Sequence, residues 1–88
     1  MDTPALPPSV DSALERLRGA GLRGWVVGGA LRDLLRGVEA RDFDIVVDAP
    51  LSRAADALPG SILIDAAVPV VLLRGSPRIE LTALRGGA

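Results

Sequence analysis

The 88-residue chain has no cysteine, so no disulfide can staple it and cysteine usage leaves its redox compartment open. It has no lysine either: all ten basic side chains are arginines, and with eleven carboxylates they leave a formal net charge of −1. That balance excludes nonspecific polyanion binding by bulk charge, so any nucleic-acid contact must be local. No apolar run approaches the ~18 residues that a membrane span requires. Met1–Val10 carries Asp2 and three prolines where a signal peptide would have a basic start and an apolar stretch. The predicted address is the cytoplasm, with no membrane contact.

With 49% apolar and 24% charged residues the composition is that of a globular chain, which excludes intrinsic disorder, and the length allows one small domain. Such a domain buries only about 60–65% of its unfolded surface. No internal repeat is visible. Residues 1–8, rich in proline, read as a flexible or polyproline-like lead-in, leaving 9–88 as the folded domain.

Ser9 or Asp11 can cap a helix to about Arg18, with Val10, Leu14 and Leu17 as its apolar stripe. Trp25–Val27 is a short strand ending at Gly28-Gly29. A helix over 30–36 follows, with Leu31, Leu34 and Leu35 on one face and Gly37 closing it. Phe43–Val47 is strand-like, Leu51–Leu58 is a helix stopped by Pro59-Gly60, and Ile62–Ile64 and Val68–Leu73 are strands. Gly75-Ser76-Pro77 turns the chain into a last strand, Ile79–Leu84, so that the final two strands form an antiparallel hairpin. The order α, β, α, β, α, β, β, β predicts an α/β (α+β) domain, a small mixed sheet of about five strands with helices packed on it. The hairpin strands are apolar at nearly every position. This predicts burial on both faces or a missing cover, and a final apolar edge strand would need something packed over it.

Three features can carry chemistry. Gly28-Gly29 stands at a strand-to-helix turn, where glycine lets backbone approach a ligand, helix-start N–H groups favour a phosphate, and Arg32 in the first turn can add a bidentate contact. Asp33 follows it. A glycine pair at a turn also serves a purely structural role. Asp42 and Asp44, at i and i+2 of a strand, point to one face while Phe43 points to the other. Two convergent carboxylates suit a hard divalent cation, Mg²⁺ or Mn²⁺; the alternative is a strand end facing solvent. Glu80 interrupts an apolar strand and must be exposed, paired or metal-bound. If its strand lies beside that of Asp42 and Asp44, it completes a three-carboxylate cluster; an edge position that leaves it wet is the other reading.

The run GWVVGGALRDLLRGVEARDFDIVVDA, followed by RIELTALR, resembles the head domain of the tRNA nucleotidyltransferase and bacterial poly(A) polymerase family, the class of the CCA-adding enzymes within the polymerase beta-like nucleotidyltransferase superfamily. The resemblance covers roughly residues 20–88. It rests on three elements in order: GG-x-x-RD at Gly28–Asp33, D-x-D at Asp42–Asp44, and the acidic Glu80 in a later strand. It implies a polymerase beta-like fold. It assigns Gly28, Gly29 and Arg32 to nucleotide binding, with Asp33 beside them in that role or as a helix tie. It makes Asp42 and Asp44 the catalytic, metal-binding pair and Glu80 the third catalytic carboxylate. The implied reaction transfers a nucleoside monophosphate from ATP or CTP to the 3′-hydroxyl of an RNA such as tRNA, with Mg²⁺ or Mn²⁺ as cofactor and pyrophosphate released. It needs no histidine, and the chain has none.

Family members continue into helical neck, body and tail regions that carry base selection and most of the tRNA contact. These 88 residues correspond to the head alone, a truncated form of the whole. Three readings follow: an enzyme head that works with further domains or a partner chain, a non-catalytic Mg-nucleotide-binding module or inactive remnant, and a structural domain whose apolar hairpin forms an interface. A homo-oligomer or partner chain is expected over that hairpin.

Overall fold

A computed structural model describes residues 6–37 and 40–84, apart from the side chains of residues 30 and 31. The element order is α1 (Pro8–Gly19), β1 (Gly24–Val27), α2 (Gly29–Leu35), β2 (Asp42–Val47), α3 (Leu51–Ala57), β3 (Ile62–Ile64), β4 (Val70–Leu73) and β5 (Arg78–Ala83). This is the order expected. The strands form one mixed sheet, β1-β2-β5-β4-β3, in which β2 and β5 run parallel and every other pair is antiparallel.

The helices and the sheet share a single core. Val10, Ala13 and Leu17 of α1 and Leu51 and Ala54 of α3 pack with Phe43, Ile45 and Val47 of β2, Val71 of β4 and Ile79 and Leu81 of β5. Leu34 of α2 packs against the same cluster. The sheet residues involved alternate along each strand, as the period of two requires, so the core lies on one face of the sheet. Gly24 lets α1 come close to β1: a Cβ there would lie 3.1 Å from Leu17 Cδ1 and 3.2 Å from Ile45 Cγ2.

Several local expectations need correction. Helix α1 starts at Pro8, so the lead-in is shorter than eight residues; Leu6 packs against the core, and residues 1–5 lie outside the described part. Its N-cap is Pro7, without a side-chain cap bond, in place of Ser9 or Asp11. Proline at the first helical position has a preset φ and removes one of the N–H groups that a helix start leaves unpaired, while the Pro7 carbonyl accepts from the Val10 and Asp11 N–H groups. The fully covered stripe of α1 includes Ala13, while Leu14 is half-buried. On α2, Leu35 is 64% exposed, since it lies about 100° around the helix from Leu34; the side chain of Leu31 lies outside the described part.

The larger correction concerns the last strand. β5 is an interior strand, paired with both β2 and β4, and the sheet ends at β3. The Leu84 N–H continues the parallel ladder with a 2.8 Å bond to the Val47 carbonyl. The hairpin is therefore covered on one face by helices and on both sides by strands, and its apolar sequence reflects a central position. The exposed apolar residues at that side of the molecule are Ile62, Leu63 and Ile64 of β3 and Val68 in the link to β4. Among the described residues no helix is long and apolar enough to cross a membrane.

Candidate active site

The face of the sheet opposite the core carries the predicted chemistry. Asp42 and Asp44 are both exposed there, while their neighbours Phe43 and Ile45 are 0% exposed on the other side. The parallel register sets Asp44 directly beside Glu80 and Asp42 beside Arg78. Glu80 is thus an interior-strand residue on the carboxylate face, and the condition for grouping it with the aspartates is met. One row runs across all five strands, Val27, Asp44, Glu80, Leu72 and Ile62. The carboxylates stand in its middle, flanked by apolar residues.

The glycine turn meets this row at its β1 end. Gly28 has φ 85° and ψ −163°, a region essentially closed to residues with a Cβ. A Cβ on Gly28 would also stand 3.2 Å from Asp44 Oδ2. The turn and the second aspartate are therefore fitted to one another, which sequence spacing alone did not show. No Cβ contact within 4 Å would arise at Gly29, the first residue of α2. Because α2 begins at Gly29 and is only seven residues long, Arg32 lies in its last turn, not in the first as expected. Arg32 is exposed and Asp33 half-buried. The Asp33 side chain makes no hydrogen bond among the described residues, so a helix-tying role has no contact behind it.

Arg78 was not singled out in the sequence. Its Nε donates to Asp42 Oδ1 at 3.1 Å, and its Nη2 lies 3.7 Å from Glu80 Oε1. The available signal was its i−2 spacing from Glu80, which puts both side chains on one face of a strand. With this guanidinium at Asp42 and Glu80, no three carboxylates among the described residues converge on one ion position. Asp44 makes no ion pair among the described residues. The chemistry of the pair suits a hard divalent cation: Asp42 and Asp44 are two half-solvated carboxylates on one strand face.

An open cleft of about 1030 Å³ adjoins the start of β2 and is lined by Pro7, Leu34, Asp42, Phe43, Pro77 and Arg78, among others. Asp44, Gly28 and Glu80 stand outside it, so it borders the carboxylate surface at Asp42 and does not contain it. Trp25, 43% exposed, lies further along the same open face beside Val46. The Arg23 guanidinium sits 5.8 Å from its ring centroid and 3.5 Å from Asp48 Oδ2.

The Poly A polymerase head domain family matches residues 24–87. The CC-adding tRNA nucleotidyltransferase of Shouchella clausii (strain KSM-K16) is 35% identical over 75 residues, which is 84% of this chain and 20% of that protein. The crystal structure of the Bacillus stearothermophilus CCA-adding enzyme in complex with CTP superposes with a TM-score of 0.69 at 26% identity, covering 88% of this chain and 20% of that one. A CCA-adding enzyme in complex with ATP gives a TM-score of 0.66 at 27% identity, covering 89% and 21%. The chain thus spans about a fifth of the length of these relatives. The mixed sheet with helices on one face is the fold of the nucleotidyltransferase domain of such enzymes. With the glycine turn, the paired aspartates and the later acidic strand all on one sheet face and the match running from β1 past β5, the chain belongs to the Poly A polymerase head domain family.

Proposed function

We propose that this domain binds ATP or CTP with Mg²⁺ or Mn²⁺ and serves the transfer of a nucleoside monophosphate to the 3′-hydroxyl of an RNA, with tRNA as the favoured acceptor. The observation that carries this reading is the fit of Gly28 against Asp44 within a row that continues to Glu80. It joins the phosphate-approach element to the carboxylate pair in one surface. Solved relatives bound to CTP and to ATP, and a relative that acts on tRNA, support the choice of substrates.

In this reading Asp42 and Asp44 hold the cation, and Glu80 adds negative charge next to Asp44. Bound there, a divalent cation would neutralise triphosphate charge and make the attacking hydroxyl more acidic. Gly28 and Gly29 leave room for the triphosphate to approach the backbone, and Arg32 supplies a charge-assisted donor to its oxygens. Position and charge complementarity do most of the work in such a step. The chain from Leu6 onward constitutes the head domain and acts in the cytoplasm, together with neck, body and tail functions supplied in the same or a partner chain. The second copy or partner chain expected over the hairpin finds β5 already covered, and in this reading a second copy packs instead at the exposed apolar edge Ile62–Ile64; sedimentation velocity at high concentration tests this, and a clean monomer refutes it.

The experiment that tests the function is calorimetric titration of ATP and CTP into the folded chain, with and without Mg²⁺, beside the Asp42→Asn/Asp44→Asn variant. Metal-dependent binding that the variant loses supports the site. Absence of binding by the folded wild-type chain refutes it. A second reading, a Mg-nucleotide-binding module without turnover, is favoured by Arg78, which pairs with Asp42 and Glu80 and leaves no three carboxylates converging on one ion position among the described residues. Binding without transfer to a tRNA 3′-end, in the presence of the complementary regions of a relative, selects it.

A further inference from the structure

The side chain that touches two of the three carboxylates is a cation already built into the chain. Arg78 lies opposite Asp42 in the parallel β2–β5 register, and its backbone N–H is bonded to the Arg41 carbonyl at 2.9 Å, which fixes the root of the side chain beside β2. Glu80, two residues on, projects from the same face. One guanidinium thus spans carboxylates of two strands, 3.1 Å from Asp42 and 3.7 Å from Glu80. Asp44, next to Glu80 in the row, is outside its reach among the described ion pairs.

We propose that Arg78 is a resident counter-cation of the carboxylate surface, which holds Asp42 and Glu80 in the metal-free chain and must be displaced by a divalent cation, so that it sets the metal affinity of the site. The inference rests on the reading of Asp42 and Asp44 as the metal-holding pair. A fixed positive charge at Asp42 both repels an incoming cation and occupies a ligand oxygen. Asp44, which makes no ion pair among the described residues, would hold the cation without displacing Arg78, whereas Asp42 would hold it only once Arg78 has moved. A guanidinium keeps its charge throughout the accessible pH range, so this competition is relieved only by movement of the side chain. Arg78 is half-exposed and lines the open cleft at the start of β2, so it has solvent to move into. Its role is therefore that of a positioning residue, acting on the cation through Asp42 and Glu80.

The test is Mn²⁺ binding to the 88-residue chain, followed by the paramagnetic resonance signal of free Mn²⁺, for wild type, Arg78→Ala, Arg78→Gln, Arg78→Lys and Asp44→Asn, each shown to be folded by circular dichroism. Half-exposed ion pairs are individually weak, so removal of this pair of contacts is expected to tighten Mn²⁺ binding by about three- to tenfold. Arg78→Gln should follow Arg78→Ala, and Arg78→Lys should lie between them and wild type. A gain in affinity is the opposite of what structural damage produces. If Arg78→Ala fails to fold, Arg78→Gln, which keeps two of the three stem methylenes and a polar end, decides. Unchanged or weaker binding in the folded Arg78 variants, with binding lost in Asp44→Asn, overturns the role of Arg78 and leaves the metal pair standing. No Mn²⁺ binding by wild type and by Arg78→Ala at millimolar concentration overturns both. Binding by Arg78→Ala but not by wild type supports both.

Discussion

The two faces of strand β2 differ as much as any two regions of this molecule. Phe43, Ile45 and Val47 are fully buried in the core that the sheet shares with the helices, whereas Asp42 and Asp44, one residue away along the backbone, lie on the opposite face. The contrast continues on β5, where Ile79 and Leu81 are buried and Arg78 and Glu80 form ion pairs or face solvent. A single strand can thus supply both stability and chemistry because its side chains alternate, and the two duties interfere little. What joins the faces is the backbone: whatever holds Phe43 in the core also holds Asp42 and Asp44 in place.

This comparison can be broken most severely from the core side. Phe43→Ala removes the largest fully buried side chain, and large-to-small core changes of this kind cost about 3–5 kcal/mol. A domain of this size has little stability in reserve, so urea denaturation should show the variant largely unfolded or with a sharply lowered midpoint. A native-like midpoint would mean that the face division does not carry the fold. Gly24→Val should be next: its side chain meets Leu17 and Ile45 at close range, and overpacking typically costs about 1–3 kcal/mol. The same denaturation curve reads it.

Gly28→Ala tests the link between the faces and the turn. Its backbone conformation costs about 1–3 kcal/mol for a residue with a Cβ, and the methyl presses on Asp44. It should lower thermal stability and weaken Mg²⁺-dependent nucleotide binding together. Retained binding in a destabilised chain would separate the turn from the site. Asp44→Asn makes the sharpest contrast with Phe43→Ala. On an exposed position it should change stability by less than about 0.5 kcal/mol, yet abolish metal-dependent binding of ATP and CTP in calorimetry. Smallest of all, Glu15→Ala on the solvent side of α1 removes a well-exposed i,i+3 pair with Arg18, worth about 0.2–0.5 kcal/mol, and should leave binding untouched.

Much of this was legible in the sequence. Periodicity and turn residues located all eight elements, and the i,i+2 spacing of Asp42 and Asp44 placed both on one face. The helix starts were read less well: at α1 a proline replaced the expected polar cap, and at α2 a one-residue shift moved Arg32 from the first turn into the last. Apolar β5 looked like an edge in need of cover, because a hairpin sequence shows its local partner and conceals its distant one. Parallel pairing with β2, some 36 positions earlier in the chain, leaves no local mark.

The division follows from the range of the forces involved. Local backbone preferences, the period of each strand and the residue types able to bind a divalent cation or a phosphate are properties of neighbours in the chain, and the sequence by itself determined them. Sheet order, the meeting of Asp44 with Glu80 and Gly28, and the hold of Arg78 on Asp42 depend on which strands pair across long separations. That choice is made by burial of one common core, so only the tertiary structure decided it.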